Sequence, residues 1–372
     1  MLPGHQSGRK DDMKRTEPSL SDDKGNTDAR LTAIDLFAGC GGLTQGLRDA
    51  GFAVLAAVEL DPLAAETYTA NHPDVGLLNE DIRTITAPGL CSAYGIAPGD
   101  LDLLAGCPPC QGFSRLRNNN RRDRMDDPRN RLIDEVLRLV EGLLPKAVMV
   151  ENVPNLGRYT RYQEFKRGLR RLGYKVSDQI LDVAEFGVPQ RRRRLVVLAS
   201  RLGEISHIAP DGCHTTVRDA IGRLSGRGFD KDPLHNVAEK RSERIRKMIS
   251  AIPKDGGSRT SLSSGFILDC HREVDGFYDV YGRMRWDDVA PTITGGCINP
   301  SKGRFLHPEE DRAITLREAA LLQSFPSDYY FSLRRGKYAA AEMIGNALPP
   351  RFSRRQAESV RAHLLAHSGS PG

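Results

Sequence analysis

The sequence predicts an α/β fold: a doubly wound, mainly parallel sheet joined to a smaller, irregular domain. Three observations carry this expectation. Short apolar runs alternate with amphipathic stretches from residue 31 to residue 200, the first run opens into a glycine-rich turn, and the alternation fades after Arg201 into segments rich in Gly, Pro, Asp and Arg. Strand and helix in alternation place helices on both faces of a parallel sheet and gather ligands at the carboxyl ends of its strands.

The runs LTAIDLF (31–37), FAVLAAVEL (52–60), LDLLAG (101–106), KAVMVENV (146–153) and RLVVLAS (194–200) predict strands, and a short further strand is expected just before NEDIR (79–83). Between them GGLTQGLRDA (41–50), DPLAAETYTANH (61–72), RNRLIDEVLRLVEGLL (129–144) and RYQEFKRGLRRLG (161–173) have helical spacing. Residues 337–367 are again helical in pattern, broken by a turn at GNALPP (345–350). GFYDVYG (276–282) is a strand candidate within the irregular part. The expected divisions are a disordered, polar tail over 1–30, a first domain over 31–200, a second over 201–336, and a segment over 337–372 that returns to the first.

A chain of 372 residues buries a substantial core. Its N-terminus lacks the apolar stretch of a secretory signal, and it has no run of about 18 apolar residues, so a cytoplasmic protein without a membrane partner is expected. The seven cysteines are odd in number and sparse, which predicts free thiols rather than a disulfide framework. Lys plus Arg exceeds Asp plus Glu, 54 to 48, and arginines cluster in SRLRNNNRRDRMDDPRNR (114–131), QRRRR (190–194) and KRSERIRK (240–247). Such clusters permit nucleic-acid binding and are equally compatible with solvated faces.

DLFAGCGG (35–42) leaves a strand and opens a helix, so its glycines let the backbone approach a ligand at the helix N-terminus. It matches neither G-x-G-x-x-G nor the phosphate-binding G-x-x-x-x-G-K-[ST] pattern, which disfavours dinucleotides and triphosphates. Glu59 ends the second strand, suited to ribose hydroxyls, and Asp81 follows the third, suited to an adenine amino group. An adenosine-containing ligand that needs no phosphate cradle fits S-adenosyl-L-methionine, and another nucleoside remains compatible.

AGCPPCQGFS (105–114) poses the chemical question, since Cys110 is able to react, bind metal or fill a core. Cys107 and Cys110 have C-x-x-C spacing, but no second pair with ligand spacing follows, so no metal is expected. The strand LDLLAG delivers the Pro-Pro-Cys turn to the crevice, and the next strand ends at ENVPN, placing Glu151 beside it. A thiol and a carboxyl on adjacent strand ends are positioned for joint work on one substrate.

The ordered set DLFAGCGG, Glu59, EDIR, GCPPCQGFS, ENVPN, QRRRR, REAALLQSFP and GNALPP resembles the bacterial-type DNA cytosine-5 methyltransferases, from about Ile34 to the last helix. The resemblance implies the S-adenosylmethionine-dependent methyltransferase fold with a target-recognition domain. It further implies a catalytic nucleophile at Cys110, base contact by Glu151, and base and backbone support from Arg192 and Arg194. Phe37, Gly39, Gly41, Glu59, Asp81, Ile82 and Asn346 are the implied cofactor residues. The implied partner is double-stranded DNA, whose target cytosine is flipped out; a cognate restriction endonuclease or defence-system proteins are further expected partners of a monomeric enzyme. The arginine-rich 114–131 stretch reads as a loop able to close over DNA or as an exposed charged loop, and by the resemblance Trp286, Leu321 and Phe325 are packing residues. Three rivals are a tRNA cytosine-5 methyltransferase on the same catalytic domain, a catalytically silent DNA-binding regulator, and an RNA cytosine methylase in which two cysteines share the work, for which Cys107 and Cys110 are spaced too closely.

Overall fold

The order of apolar runs builds one sheet. The computed structural model describes residues 30–109, 131–210, 212, 214–224, 231–236, 239–262 and 279–368. Strands β1 (Thr32–Leu36), β2 (Ala53–Val58), β3 (Gly76–Leu78), β4 (Leu103–Gly106), β5 (Ala147–Asn152), β6 (Lys175–Asp182) and β7 (Arg193–Ser200) form a seven-stranded sheet in the order β3-β2-β1-β4-β5-β7-β6. The β1–β2, β1–β4, β2–β3 and β4–β5 pairs are parallel, whereas β7 runs antiparallel to both β5 and β6. The expected doubly wound, mainly parallel sheet is therefore present. Its chain order reverses at β1, so the crevice between the carboxyl ends of β1 and β4 is the natural ligand position.

Helices α1 (Gly42–Asp49), α2 (Pro62–Asn71), α3 (Ala87–Tyr94), α4 (Leu132–Leu143) and α5 (Thr160–Arg171) follow the strands. β4 and β5 are buried along their whole length and read as continuous apolar runs, as central parallel strands must. On one face Leu43 and Leu47 of α1 pack with Tyr68 of α2. The other face carries Leu90 of α3, Val136 and Leu139 of α4, and Phe165 of α5.

β6 was not legible as a strand, and its residues explain why. KVSDQILD has a single fully buried position, Leu181, because β6 is the sheet edge and packs little on either side. α3 also escaped the apolar pattern; its start is set by the Thr86 cap and a proline in the first turn.

Beyond Arg201 the described residues hold α6 (Val217–Ile221), α7 (Glu243–Ala251) and α8 (Leu316–Leu322), followed by α9 (Lys337–Asn346) and α10 (Pro350–Ser368). α9 and α10 flank the GNALPP turn as its sequence predicts, and α10 adds Phe352, Val360 and Leu364 to the core that α1 covers. In place of regular elements, buried Arg283 organises much of the 249–311 region: its guanidinium donates to the carbonyls of Ile249, Ile252, His307 and Glu310 and pairs with Asp311 at 2.5 Å. Phe325 is buried and Trp286 and Leu321 pack against the same cluster, in keeping with their expected packing role. Of GFYDVYG, residues 276–278 lie outside the described residues, while Asp279–Tyr281 form a turn rather than a strand.

Candidate functional site

The turn after β1 is the first wall of the site. Phe37, Gly39 and Gly41 all have positive φ, 61°, 57° and 95°, so the chain doubles back before α1 begins. At Gly41 a side chain is excluded outright: a Cβ there would lie 2.6 Å from both His72 Nε2 and the Tyr329 hydroxyl. At Gly39 a Cβ would meet nothing within 4 Å, so this glycine faces open space.

Glu59 sits one residue past β2 and turns back onto that loop. Its Oε2 accepts from the Gly39 amide at 2.8 Å and its Oε1 from the Asp61 amide at 2.7 Å. Burial raises its pKa, and those amides oppose the rise. Asp81 is half-buried, accepts from the Arg83 amide at 3.0 Å, and precedes the buried Ile82. Leu60, which the sequence reading passed over, is 61% exposed beside Glu59, an apolar surface next to a ribose-suited carboxylate. Asn346 is exposed at the end of α9. Open space at Gly39, a fixed carboxylate and an exposed apolar flank fit an adenosine ligand.

The second wall comes from β4 and β5. Cys110 and the 114–130 stretch lie outside the described residues, which end on this side at Pro109. The turn leading to Cys110 is tied to ENVPN: Asn152 Nδ2 donates to the Pro108 carbonyl at 2.9 Å, and Asn152 Oδ1 accepts from the Val153 amide. Nothing in the local sequence marks Asn152 for this role, which only the pairing of β4 with β5 reveals. Cys107 lines the crevice, where burial and then the Glu151 and Asp35 carboxylates push its thiol well above the ordinary range. That disfavours Cys107 as a nucleophile.

Glu151, the penultimate residue of β5, is nearly buried and pairs with Arg194, whose Nε lies 2.5 Å from its Oε1. β5 and β7 bring the two together, because Glu151 registers opposite Val196, two residues from Arg194. Arg192 is placed differently. Its buried Nη1 donates to the carbonyls of Ile293 at 3.0 Å and Gly345 at 2.8 Å, which makes it a brace between two distant loops. Gln190 continues this brace from full burial: its amide donates to Leu322 O and Gln323 Oε1 and its oxygen accepts from the Ile293 amide. Of the remaining cluster, Arg191 is exposed and pairs with Asp288 at 2.9 Å. In the KRSERIRK cluster Arg246 and Lys247 are exposed and pair with Glu243 of their own helix. Among the described residues no group of three or more His, Cys, Asp or Glu is arranged to hold a metal, and no helix is long and apolar enough to cross a membrane.

A glycine turn after β1, an acidic residue after β2 and a reversed β7 define the class, the Rossmann-like fold of the S-adenosylmethionine-dependent methyltransferases. Solved structures agree. A chain described as a DNA modification methyltransferase from an E. coli prophage superposes with a TM-score of 0.65 at 25% identity, covering 90% of this chain and 99% of that one. The Dnmt2 methyltransferase of S. pombe shares the fold with a TM-score of 0.58 at 22% identity, covering 92% and 100%. The model of the C-5 cytosine-specific DNA methylases matches residues 31–362, and the chain belongs to that family. Among curated relatives it is 37% identical to the type II methylase M.HgiDII of Herpetosiphon aurantiacus, over 89% of this chain and 95% of that protein. It is 36% identical to the type II methyltransferase M1.HphI of Haemophilus parahaemolyticus, over 89% and 86%.

Proposed function

We propose that this chain transfers a methyl group from S-adenosyl-L-methionine to carbon 5 of a flipped-out cytosine in a specific double-stranded DNA sequence, through a covalent bond from Cys110 to carbon 6. The observation that supports it best is the convergence of the Cys107–Pro109 turn with the Glu151–Arg194 pair at adjacent strand ends, next to the β1 turn. The relatives named as type II methylases favour a place in restriction-modification or phage defence.

Carbon 5 of cytosine is a weak nucleophile, and adding a thiolate to carbon 6 makes it enamine-like, splitting one hard step into two easier ones. In this reading the Cys110 thiolate bonds to carbon 6 and the ring electrons move toward carbon 5. Glu151, held by Arg194, hydrogen-bonds ring nitrogen 3 and the exocyclic amine and stabilises the charge that builds there. The bound cofactor supplies an electrophilic methyl group. Loss of the carbon 5 proton to a base then returns an electron pair to the ring, and the bond to Cys110 breaks. Glu59 would hold the ribose hydroxyls and Asp81 the adenine amine, with Phe37, Leu60 and Ile82 flanking the base. Gly39 would leave room for the ligand, Gly41 makes room for His72 and Tyr329 behind the turn, and Asn346 would contribute from the end of α9. Arg192 serves by bracing the 293 and 345 loops. Residues 201–336 read the DNA sequence, and the arginines of 114–131 contact the backbone, offsetting the few kcal/mol that flipping a base costs.

The test is expression of wild type and Cys110→Ala in a host without cytosine methylation, with modified positions mapped in total DNA and tRNA analysed in parallel. 5-Methylcytosine in DNA from wild type alone is the expected result. Modified tRNA with unmodified DNA would move the activity to the RNA substrate, and DNA binding without release of S-adenosylhomocysteine would leave a regulator.

A further inference from the structure

Tyr329 belongs to the segment after α8, yet its side chain ends inside the turn that follows β1. It is buried, with 3% of its surface exposed. The hydroxyl donates to the Cys40 carbonyl at 2.6 Å and lies 3.0 Å from His72 Nε2. The oxygen it grips belongs to the Cys40–Gly41 peptide, whose N–H donates to the Ala38 carbonyl at 2.9 Å. Both edges of that peptide are therefore fixed, one by the turn itself and one by a side chain about 290 positions away in sequence.

The clamp is itself anchored. The Tyr329 ring packs against Phe325 and Phe331 at centroid distances of 4.7 and 5.3 Å, and Phe325 comes within 3.3 Å of where a Gly42 Cβ would stand. The Tyr329 carbonyl accepts from Arg317 Nη1 at 2.9 Å, and Arg317 pairs with Asp232 at 2.5 Å. Burial keeps the phenol proton on, pushing its pKa well above the ordinary value, and it holds His72 down near 4, so the contact is between neutral groups at pH 7.

We propose that Tyr329 is a positioning residue for the cofactor, locking the Cys40–Gly41 peptide so that the positive-φ turn is already in its binding shape before ligand arrives. The turn contains three residues at positive φ, one of them Phe37. The two glycines adopt that region freely, so without a clamp the turn has other shapes open to it, while Phe37 is held there at a cost. Preorganisation of this kind acts on affinity, because ligand need not supply the ordering itself. It also makes cofactor affinity depend on the Asp232–Arg317 segment, which lies in the part of the chain assigned to reading DNA. The inference rests on the cofactor reading given above.

The test compares S-adenosylhomocysteine affinity, by titration calorimetry, among wild type, Tyr329→Phe and Tyr174→Phe. Tyr174 is the matched control: it is equally buried and donates to the Pro145 carbonyl at 2.5 Å, away from the β1 turn. Each variant loses one buried hydroxyl, bonded to Cys40 O and His72 Nε2 in Tyr329 and to Pro145 O in Tyr174, so both are expected to lose thermal stability. Tyr329→Phe is expected to weaken binding about fivefold, the scale of one net hydrogen bond, and to raise the cofactor KM with kcat kept within about twofold. Tyr174→Phe is expected to leave affinity at the wild-type value. Equal affinity of the two variants overturns the positioning role. Should Tyr329→Phe fail to fold, His72→Leu removes the hydroxyl's second contact; about twofold weaker binding supports the role, and unchanged binding overturns it. Glu59→Ala separates the two readings, since unchanged affinity there refutes the cofactor site itself whatever Tyr329 does.

Discussion

Asp35 has no exposure; its Oδ2 accepts from Thr44 Oγ1 at 2.7 Å, while its Oδ1 has no side-chain partner. Burial raises its pKa from 3.8 to about 7, with the Thr44 hydrogen bonds opposing. The sign follows from linkage: the folded state holds a proton that the unfolded chain has released, so this contribution is full below pH 3.8 and is lost as pH rises through about 7. The shift corresponds to roughly 4 kcal/mol. Urea-unfolding midpoints at pH 5 and pH 8 should show wild type losing stability relative to Asp35→Asn over that interval; parallel pH dependences would sink the assignment. At the end of β5, two strands away, Glu151→Gln is expected to lower turnover about 10²–10⁴-fold, the range for a positioned acid or base. S-adenosylhomocysteine affinity should stay unchanged, because Glu59 and Glu151 occupy different strand ends.

Between elements, the decisive contacts are close approaches with no room for error. α9 meets the 293–296 loop at Gly345, where a Cβ would fall 2.1 Å from the Thr294 carbonyl carbon and 2.2 Å from the Gly295 amide. The neighbour is backbone and cannot swing aside. Gly345→Ala should cost about 1–3 kcal/mol, as overpacking does, and should move Asn346, lowering cofactor affinity as well as the unfolding midpoint. The same junction is pinned by Gln190 and Gln323, both fully buried, with Gln323 Nε2 donating to the Ile344 carbonyl at 2.6 Å. Gln190→Leu removes the partner of the Ile293 amide, the Leu322 carbonyl and Gln323 Oε1. Its expected penalty is about 3 kcal/mol, since each orphaned buried group costs roughly 1–3. A midpoint within experimental error of wild type would show that the junction does not depend on this pair.

For the whole molecule the charge balance is only modestly positive, 54 basic against 48 acidic side chains, so binding to DNA depends on where arginines gather rather than on their total. The logarithm of the affinity for DNA is expected to fall linearly with the logarithm of salt concentration as phosphate contacts release counterions. Replacing Arg121 and Arg122 together by Ala should reduce that slope by about two, with S-adenosylhomocysteine binding untouched. An unchanged slope would place the phosphate contacts elsewhere.

The sequence by itself determined the sheet and the order of its motifs. Apolar runs such as LDLLAG and KAVMVENV are local signals, and a central parallel strand has no other way to be buried. The glycine turn, Glu59 and the adjacency of the Cys107–Pro109 turn to Glu151 follow from that order. β6 was silent because an edge strand need not be apolar, and residues from about 205 to 285 showed no readable pattern because the described part there is held by a buried arginine, Arg283, rather than by periodicity. What only the tertiary structure decided are the contacts between residues far apart in the chain. QRRRR gives no sign that Arg194 pairs with Glu151 while Arg192 is turned away to carbonyls at 293 and 345. Nor does anything near Tyr329 say that its hydroxyl ends on Cys40. A hydrogen bond spanning hundreds of residues leaves no local pattern, since its partners are brought together by the packing of elements and not by spacing along the chain.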